Sequence, residues 1–144
     1  MPTETSIRTS VILLLERNCA ETALIEEVVQ NTRLCVVTEG ADILAFLRGQ
    51  GSYAAADRPD LVLLDLDLSK AQDCELLQEL KRDPSIKRIP VVVLSSSVSY
   101  EDIFEAYDLH ANAYLCKPST RKDYGRVLRA TLHFWLHLAR LPRD

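Results

Sequence analysis

Four places along the chain set a charged or hydroxyl-bearing side chain directly after a run of aliphatic residues. Glu16, Arg17 and Asn18 follow VILLL, Asp65 and Asp67 follow LVLL, Ser95 to Ser97 follow VVVL, and Lys117 follows AYLC. A charge that ends an apolar run has little water around it and needs a partner. Collected at one edge, these groups suit phosphoryl transfer to a carboxylate. Asp65 can attack as nucleophile and become an aspartyl phosphate. Lys117 can neutralise one phosphoryl oxygen and Ser95 can hydrogen-bond another. A divalent cation on oxygen ligands would offset the remaining charge. A purely structural ion-pair network would gather the same residue types.

Whether they meet depends on the elements that carry them. The runs Val11–Leu15, Leu34–Thr38, Leu61–Leu66, Val91–Ser95 and Ala113–Cys116 read as strands, the first, third and fourth apolar enough to be covered on both faces. Amphipathic stretches lie between them: Ala20–Val29, Ala41–Arg48, a turn or two over Leu76–Lys81, and Glu101–Leu109 with Ile103, Phe104 and Tyr107 on its apolar face. The last helix is the longest. Thr120 can cap it, with Asp123 three residues on as a weaker capping box. Tyr124, Val127, Leu128, Thr131, Leu132 and Trp135 form its stripe, and Pro142 is the expected stop. Gly49 to Asp60 reads as a surface loop. Five βα units joined by right-handed crossovers give an α/β fold, a parallel sheet with helices on both faces. Ligands of such sheets bind beyond the carboxyl ends of the strands, where all four charged or hydroxyl clusters fall.

The chain has 144 residues, with 17 basic and 21 acidic side chains and a net charge of −4. A chain of this length buries roughly 70% of its unfolded surface, enough for one core and not two. The acidic balance argues against a nucleic-acid partner. No apolar run approaches the roughly 20 residues of a membrane span, and the polar start lacks the apolar stretch of a secretory signal. The cytoplasm is the default expectation. Cys19, Cys35, Cys74 and Cys116 form no C-x-x-C pair and read as small, partly buried thiols.

These residues resemble the receiver domain of two-component response regulators over about Val11 to Pro142. LVLLDLDLSK resembles the phosphoacceptor strand with Asp65 as acceptor. IPVVVLSSS resembles the fourth strand with Ser95 as switch hydroxyl. ANAYLCKP resembles the fifth, with Lys117 as the phosphoryl-binding lysine and Tyr114 as the switch aromatic. The resemblance implies a flavodoxin-like (βα)5 three-layer sandwich over residues 10–144, preceded by a short tail at 1–9. It implies a signalling module rather than an enzyme, phosphorylated by a sensor histidine kinase. DRPDLVLLDLDL, KRDPSIKRIPVVVLSSS and FWLHLARLP resemble single-domain regulators partnered with bacterial phytochrome kinases. That subgroup implies a homodimer through the fourth and fifth helices and the fifth strand. Phe134, Leu138 and Leu141, apolar and outside the main stripe, are the expected dimer residues. With no stretch left for an output domain, output by protein binding is expected.

One departure stands out. The family places two acids after its first strand; here Glu16 matches the first and Arg17 stands where the second would ligate metal. A guanidinium cannot shed its charge. Opposite charges at 4 Å gain about 4 kcal/mol at an effective dielectric of 20, and like charges lose as much. Arg17 can therefore pair with Asp65 or Glu16 in place of a cation. Alternatively it swings to solvent, leaving Glu16, Asp65 and Asp67 as the metal ligands. Either way, weak or absent Mg²⁺ binding is expected. Ser69 for a common proline and Gln72-Asp73 for Asp-Gly are smaller departures. A pseudo-receiver adaptor that works without phosphorylation is the main alternative. LDLDLS also resembles the D-x-D motif of haloacid-dehalogenase-type phosphatases, but no downstream acidic pair completes it. ERNCAE is not the phosphate loop of a flavodoxin-like FMN binder. His133 and His137 are spaced for zinc but lack further ligands and read as surface or dimer-contact residues.

Overall fold

The computed structural model describes residues 9–142, so most of the expected tail and the last two residues lie outside the described residues. The aliphatic runs form β1 (Ser10–Leu15), β2 (Thr32–Val37), β3 (Leu61–Asp65), β4 (Val91–Ser95) and β5 (Ala113–Cys116). They make one parallel sheet in the order β2-β1-β3-β4-β5. Five helices connect or follow them: α1 (Cys19–Val28), α2 (Gly40–Arg48), α3 (Ala71–Arg82), α4 (Tyr100–Asp108) and α5 (Arg121–His133).

Strand alternation builds two cores. Leu13, Leu15, Val62, Leu64, Val91 and Val93 face α2, α3 and α4, while Ile12, Leu14, Leu61, Leu63, Val92 and Leu94 face α1 and α5. The result is the three-layer, flavodoxin-like sandwich. Chain order reverses about β1, so the crevice opens between the carboxyl ends of β1 and β3.

Four elements depart from expectation. Helix α3 begins at Ala71, well before Leu76, because its first turn is held by polar contacts that an apolar pattern does not register. Asp73 Oδ2 accepts from the Asp67 amide at 2.7 Å, and Cys74 Sγ donates to the Leu68 carbonyl. Helix α4 buries only Ala106, and Phe104 and Tyr107 face outward instead of packing inward. Thr120 caps α5 by accepting from the Asp123 amide, but the helix then widens into a π turn over Phe134–Leu138 and ends at Ala139, before Pro142. The loop from Gly49 is not wholly superficial, since Pro59 and Asp60 are buried. All four cysteines are free, and Cys19 and Cys116 are exposed rather than partly buried.

Candidate functional site

At the carboxyl edge the chain turns directly from β1 into α1. Asn18 makes this possible: its Oδ1 accepts from the amides of Ala20 and Glu21, satisfying two of the helix's unpaired donors. Glu16, just before the turn, is almost fully buried. Its Oε2 accepts from the Asn18 amide, while its Oε1 has no hydrogen-bond partner. The first turn of α1 carries Glu21 back over the strand ends.

Asp65 is the last residue of β3, and Lys117 follows β5. The Lys117 ammonium donates to Asp65 Oδ1 at 2.8 Å, lies 2.6 Å from Glu21 Oε1 and stands 4.0 Å from Glu16 Oε1. Carboxylate oxygens of Glu16, Glu21 and Asp65 all lie within 4.8 Å of one another. Burial pushes the Glu16 carboxyl up to about 8, with the adjoining Asp65 adding to the effect. Burial alone would lower Lys117, but its bonds to Asp65 and Glu21 hold it above the ordinary lysine value.

A cleft of about 390 Å³ opens beside this cluster, lined by Asp65, Asp67, Ser95 and Arg17 among others. Ser95 is buried at the end of β4, its Oγ accepting from the Ser97 amide at 3.1 Å. Tyr114 donates its hydroxyl to the Ser97 carbonyl at 2.8 Å, tying β5 to the segment that carries Ser95. Asp65, Lys117 and Glu16 thus meet, with Ser95 on the adjoining cleft wall and Tyr114 behind it.

Two expected participants stand elsewhere. Asp67 does not join Glu16 and Asp65 as a third carboxylate. Strand β3 stops at Asp65, and Asp67 Oδ1 instead accepts from the Ser69 amide and hydroxyl, bonds that hold its carboxyl below the ordinary value. Arg17 takes the outward alternative, its side chain 58% exposed and 3.9 Å from Glu39. Among the described residues no ion pair joins it to Glu16 or Asp65. The third carboxylate beside Glu16 and Asp65 is that of Glu21. Its signal in the sequence was an acid in the first turn after a capping Asn at a strand end. Tyr124 was read only as core. Its hydroxyl is buried without a partner, on a second cleft shared with Glu21 and Lys117, and burial with the nearby carboxylates raises its pKa. The rings of His133 and His137 are 5.5 Å apart, and neither belongs to a cluster of three metal-ligating side chains among the described residues.

The geometry is that of a strand-end carboxylate braced by a lysine. The profile of the response regulator receiver domain matches residues 12–129. The chain belongs to the response regulator receiver family. The receiver is 40% identical over 136 residues to the response regulator Rcp1 of Synechocystis, covering 92% of each chain. A crystal structure of the phosphorylated cyanobacterial phytochrome response regulator RcpA superposes with a TM-score of 0.87 at 42% identity, over 94% of this receiver and 100% of that chain. The Mn²⁺-bound form of Rcp1 gives 0.84 at 40% identity, over 93% and 99%.

Receivers of this kind imply a divalent cation, and the donor set here fits one. The carboxylate oxygens are close enough together for one ion to gather them once the Lys117 ammonium among them shifts aside. The buried, unpartnered Glu16 Oε1 is a hard donor of the type such ions select.

Proposed function

We propose that this receiver accepts a phosphoryl group on Asp65 from a sensor histidine kinase of the phytochrome class. The observation that carries the reading is the 2.8 Å bond from Lys117 to Asp65 Oδ1 at the mouth of the cleft. Lys117 holds one carboxylate oxygen, so the other attacks phosphorus. The P–N bond to the donor imidazole breaks, and its electron pair stays on the nitrogen, which takes up a proton. Lys117 and the Ser95 hydroxyl then bind phosphoryl oxygens. A divalent cation, held by Glu16 and Asp65, would supply further charge neutralisation to those oxygens.

The link from Ser95 through Ser97 to the Tyr114 hydroxyl gives a route from the phosphoryl group to β5 and α4. The surface at the end of that route supports the expected homodimer. On α4 Tyr100 and Phe104 stack with centroids 6.1 Å apart and are 77% and 65% exposed. Phe134 and Leu138 are also exposed, and Leu141 is half-buried. Exposed apolar clusters of this kind, here one on α4 and one on the π turn after α5, mark interaction surfaces in soluble proteins. Output by protein binding and a cytoplasmic setting complete the reading; no helix among the described residues is long and apolar enough to cross a membrane.

The test is incubation with acetyl phosphate and Mg²⁺, followed by intact mass and by peptide mapping after borohydride reduction of the acyl phosphate. A single phosphoryl adduct on Asp65, absent from Asp65→Asn, is expected. No adduct under conditions that label another receiver would overturn phosphotransfer in favour of a binding-only adaptor. Sedimentation of Phe104→Glu, expected monomeric where the parent dimerises, tests the interface separately.

A further inference from the structure

Arg17 deprives the cation site of the acid that this family places after its first strand, yet the structure does not leave the site one carboxylate short. We propose that Glu21, from the first turn of α1, is the third carboxylate ligand of the cation and replaces the acid lost at position 17. The proposal rests on the reading that Glu16 and Asp65 hold a divalent ion, and it deepens that reading.

Three observations carry it. Glu21 reaches within 4.8 Å of both Glu16 and Asp65, which Asp67 does not. Glu16, its side chain 1% exposed, directs into the same cluster an oxygen that no hydrogen bond satisfies. A buried carboxylate oxygen left without a donor is costly, and a ligated cation relieves that cost. Finally, the positive charge of Arg17 is displaced towards Glu39 and into solvent, where its repulsion of an incoming cation is screened.

The charge count agrees. Displacement of the Glu16 proton by an incoming cation would leave Glu16, Glu21 and Asp65 against a single ammonium, Lys117, so the loaded cluster has two negative charges to match a divalent ion. Lys117 now sits against both Glu21 and Asp65. Cation binding would free Lys117 from Glu21 and leave it available to Asp65 and a phosphoryl oxygen. In this arrangement Glu21 alternates between anchoring the lysine and ligating the metal.

The alternative role, anchoring Lys117 only, predicts a different outcome in a titration with Mn²⁺ followed by electron paramagnetic resonance and water-proton relaxation. As a ligand, Glu21→Gln weakens Mn²⁺ binding by about tenfold or more, and Glu21→Ala adds an inner-sphere water to the bound ion. Glu21→Asp keeps the charge but draws the carboxylate back, so it too weakens binding. Adding Arg17→Asp to Glu21→Gln restores affinity, because either acid can complete the set. Asp67→Asn leaves affinity within about twofold, since that side chain is committed to Ser69. If Glu21→Gln and Glu21→Asp both bind Mn²⁺ within about threefold of the parent while Asp65→Asn abolishes binding, Glu21 is an anchor only and the proposal falls, with the cation reading intact. If the parent itself binds no Mn²⁺ at millimolar concentration, both fall together.

Discussion

Both ends of the parallel sheet gather charged and polar side chains, and they treat them in opposite ways. At the amino end, Asp60 Oδ2 accepts from the Val11 amide at 2.9 Å, and the Asp60 amide returns a bond to the Val11 carbonyl. Asn112 Oδ1 accepts from the Val91 amide, and Lys81 donates to the carbonyls of Lys87 and Ile89 and to Asn112. These bonds run mainly to backbone at strand starts and helix ends, so the groups act as staples. At the carboxyl end, one ammonium is shared among three carboxylates, and Glu16 Oε1 and the Tyr124 hydroxyl have no hydrogen-bond partner. Polar groups buried with partners hold a fold together, whereas those buried without them mark where something else is to bind.

The contrast can be broken by exchanging the two lysines' fates. Lys117→Ala is expected to reduce phosphoryl incorporation from acetyl phosphate by about 10²–10³-fold, the usual loss on removing one preorganised charge-stabilising donor. Lys81→Ala should leave incorporation unchanged but lower stability by about 1–2 kcal/mol, because it takes their donor from the Lys87 and Ile89 carbonyls. Urea unfolding beside the phosphorylation assay separates the two. Equal losses of activity would show that the amino-end cluster is part of the site. Asp60→Ala, which strands the buried Val11 amide, should resemble Lys81→Ala in both assays.

Some of this difference was legible in the sequence. Asp65 and Lys117 announce themselves because each follows an aliphatic run, and a parallel sheet must deliver strand ends to one edge. Asp67 does not follow the same logic. Its place on the Asp65 side assumes that β3 continues, whereas the strand ends at Asp65 and Ser69 captures the carboxylate. Glu21 is hidden because a first-turn acid most often serves the helix dipole in solvent, and only the distance to Asp65 shows otherwise. The sequence leaves Arg17 open between a carboxylate partner and solvent, and Glu39, just before α2, draws it outward. Amphipathicity gave α4 an apolar face without saying whether that face meets the core or the exterior. Ala106 meets the core, and Phe104 does not.

Titration sharpens the comparison further. Glu16 holds its proton in the folded state up to about pH 8, while the unfolded chain releases it near 4.5. The folded state therefore binds more protons across that window, and its stability falls as pH rises through it. Glu16→Gln should remove this slope and at pH 8 exceed the parent by on the order of 1–2 kcal/mol in urea unfolding. A variant that keeps the parent's slope would assign the slope to another group.

Tyr124→Phe makes the smallest change and asks the most direct question. The hydroxyl is buried against a cleft of about 520 Å³ and pays desolvation without a bond in return. Deleting it removes the unpartnered donor and keeps the ring packed with Leu128 and Leu24, so stability should hold or rise by about 1 kcal/mol. A loss of stability like that of Asp60→Ala would mean that the hydroxyl is satisfied in solution, and the two ends of the sheet would then differ less than their geometry suggests. A gain in stability with slower phosphorylation would instead show that the unpartnered hydroxyl serves the reacting state, the trade expected where strain is kept for function.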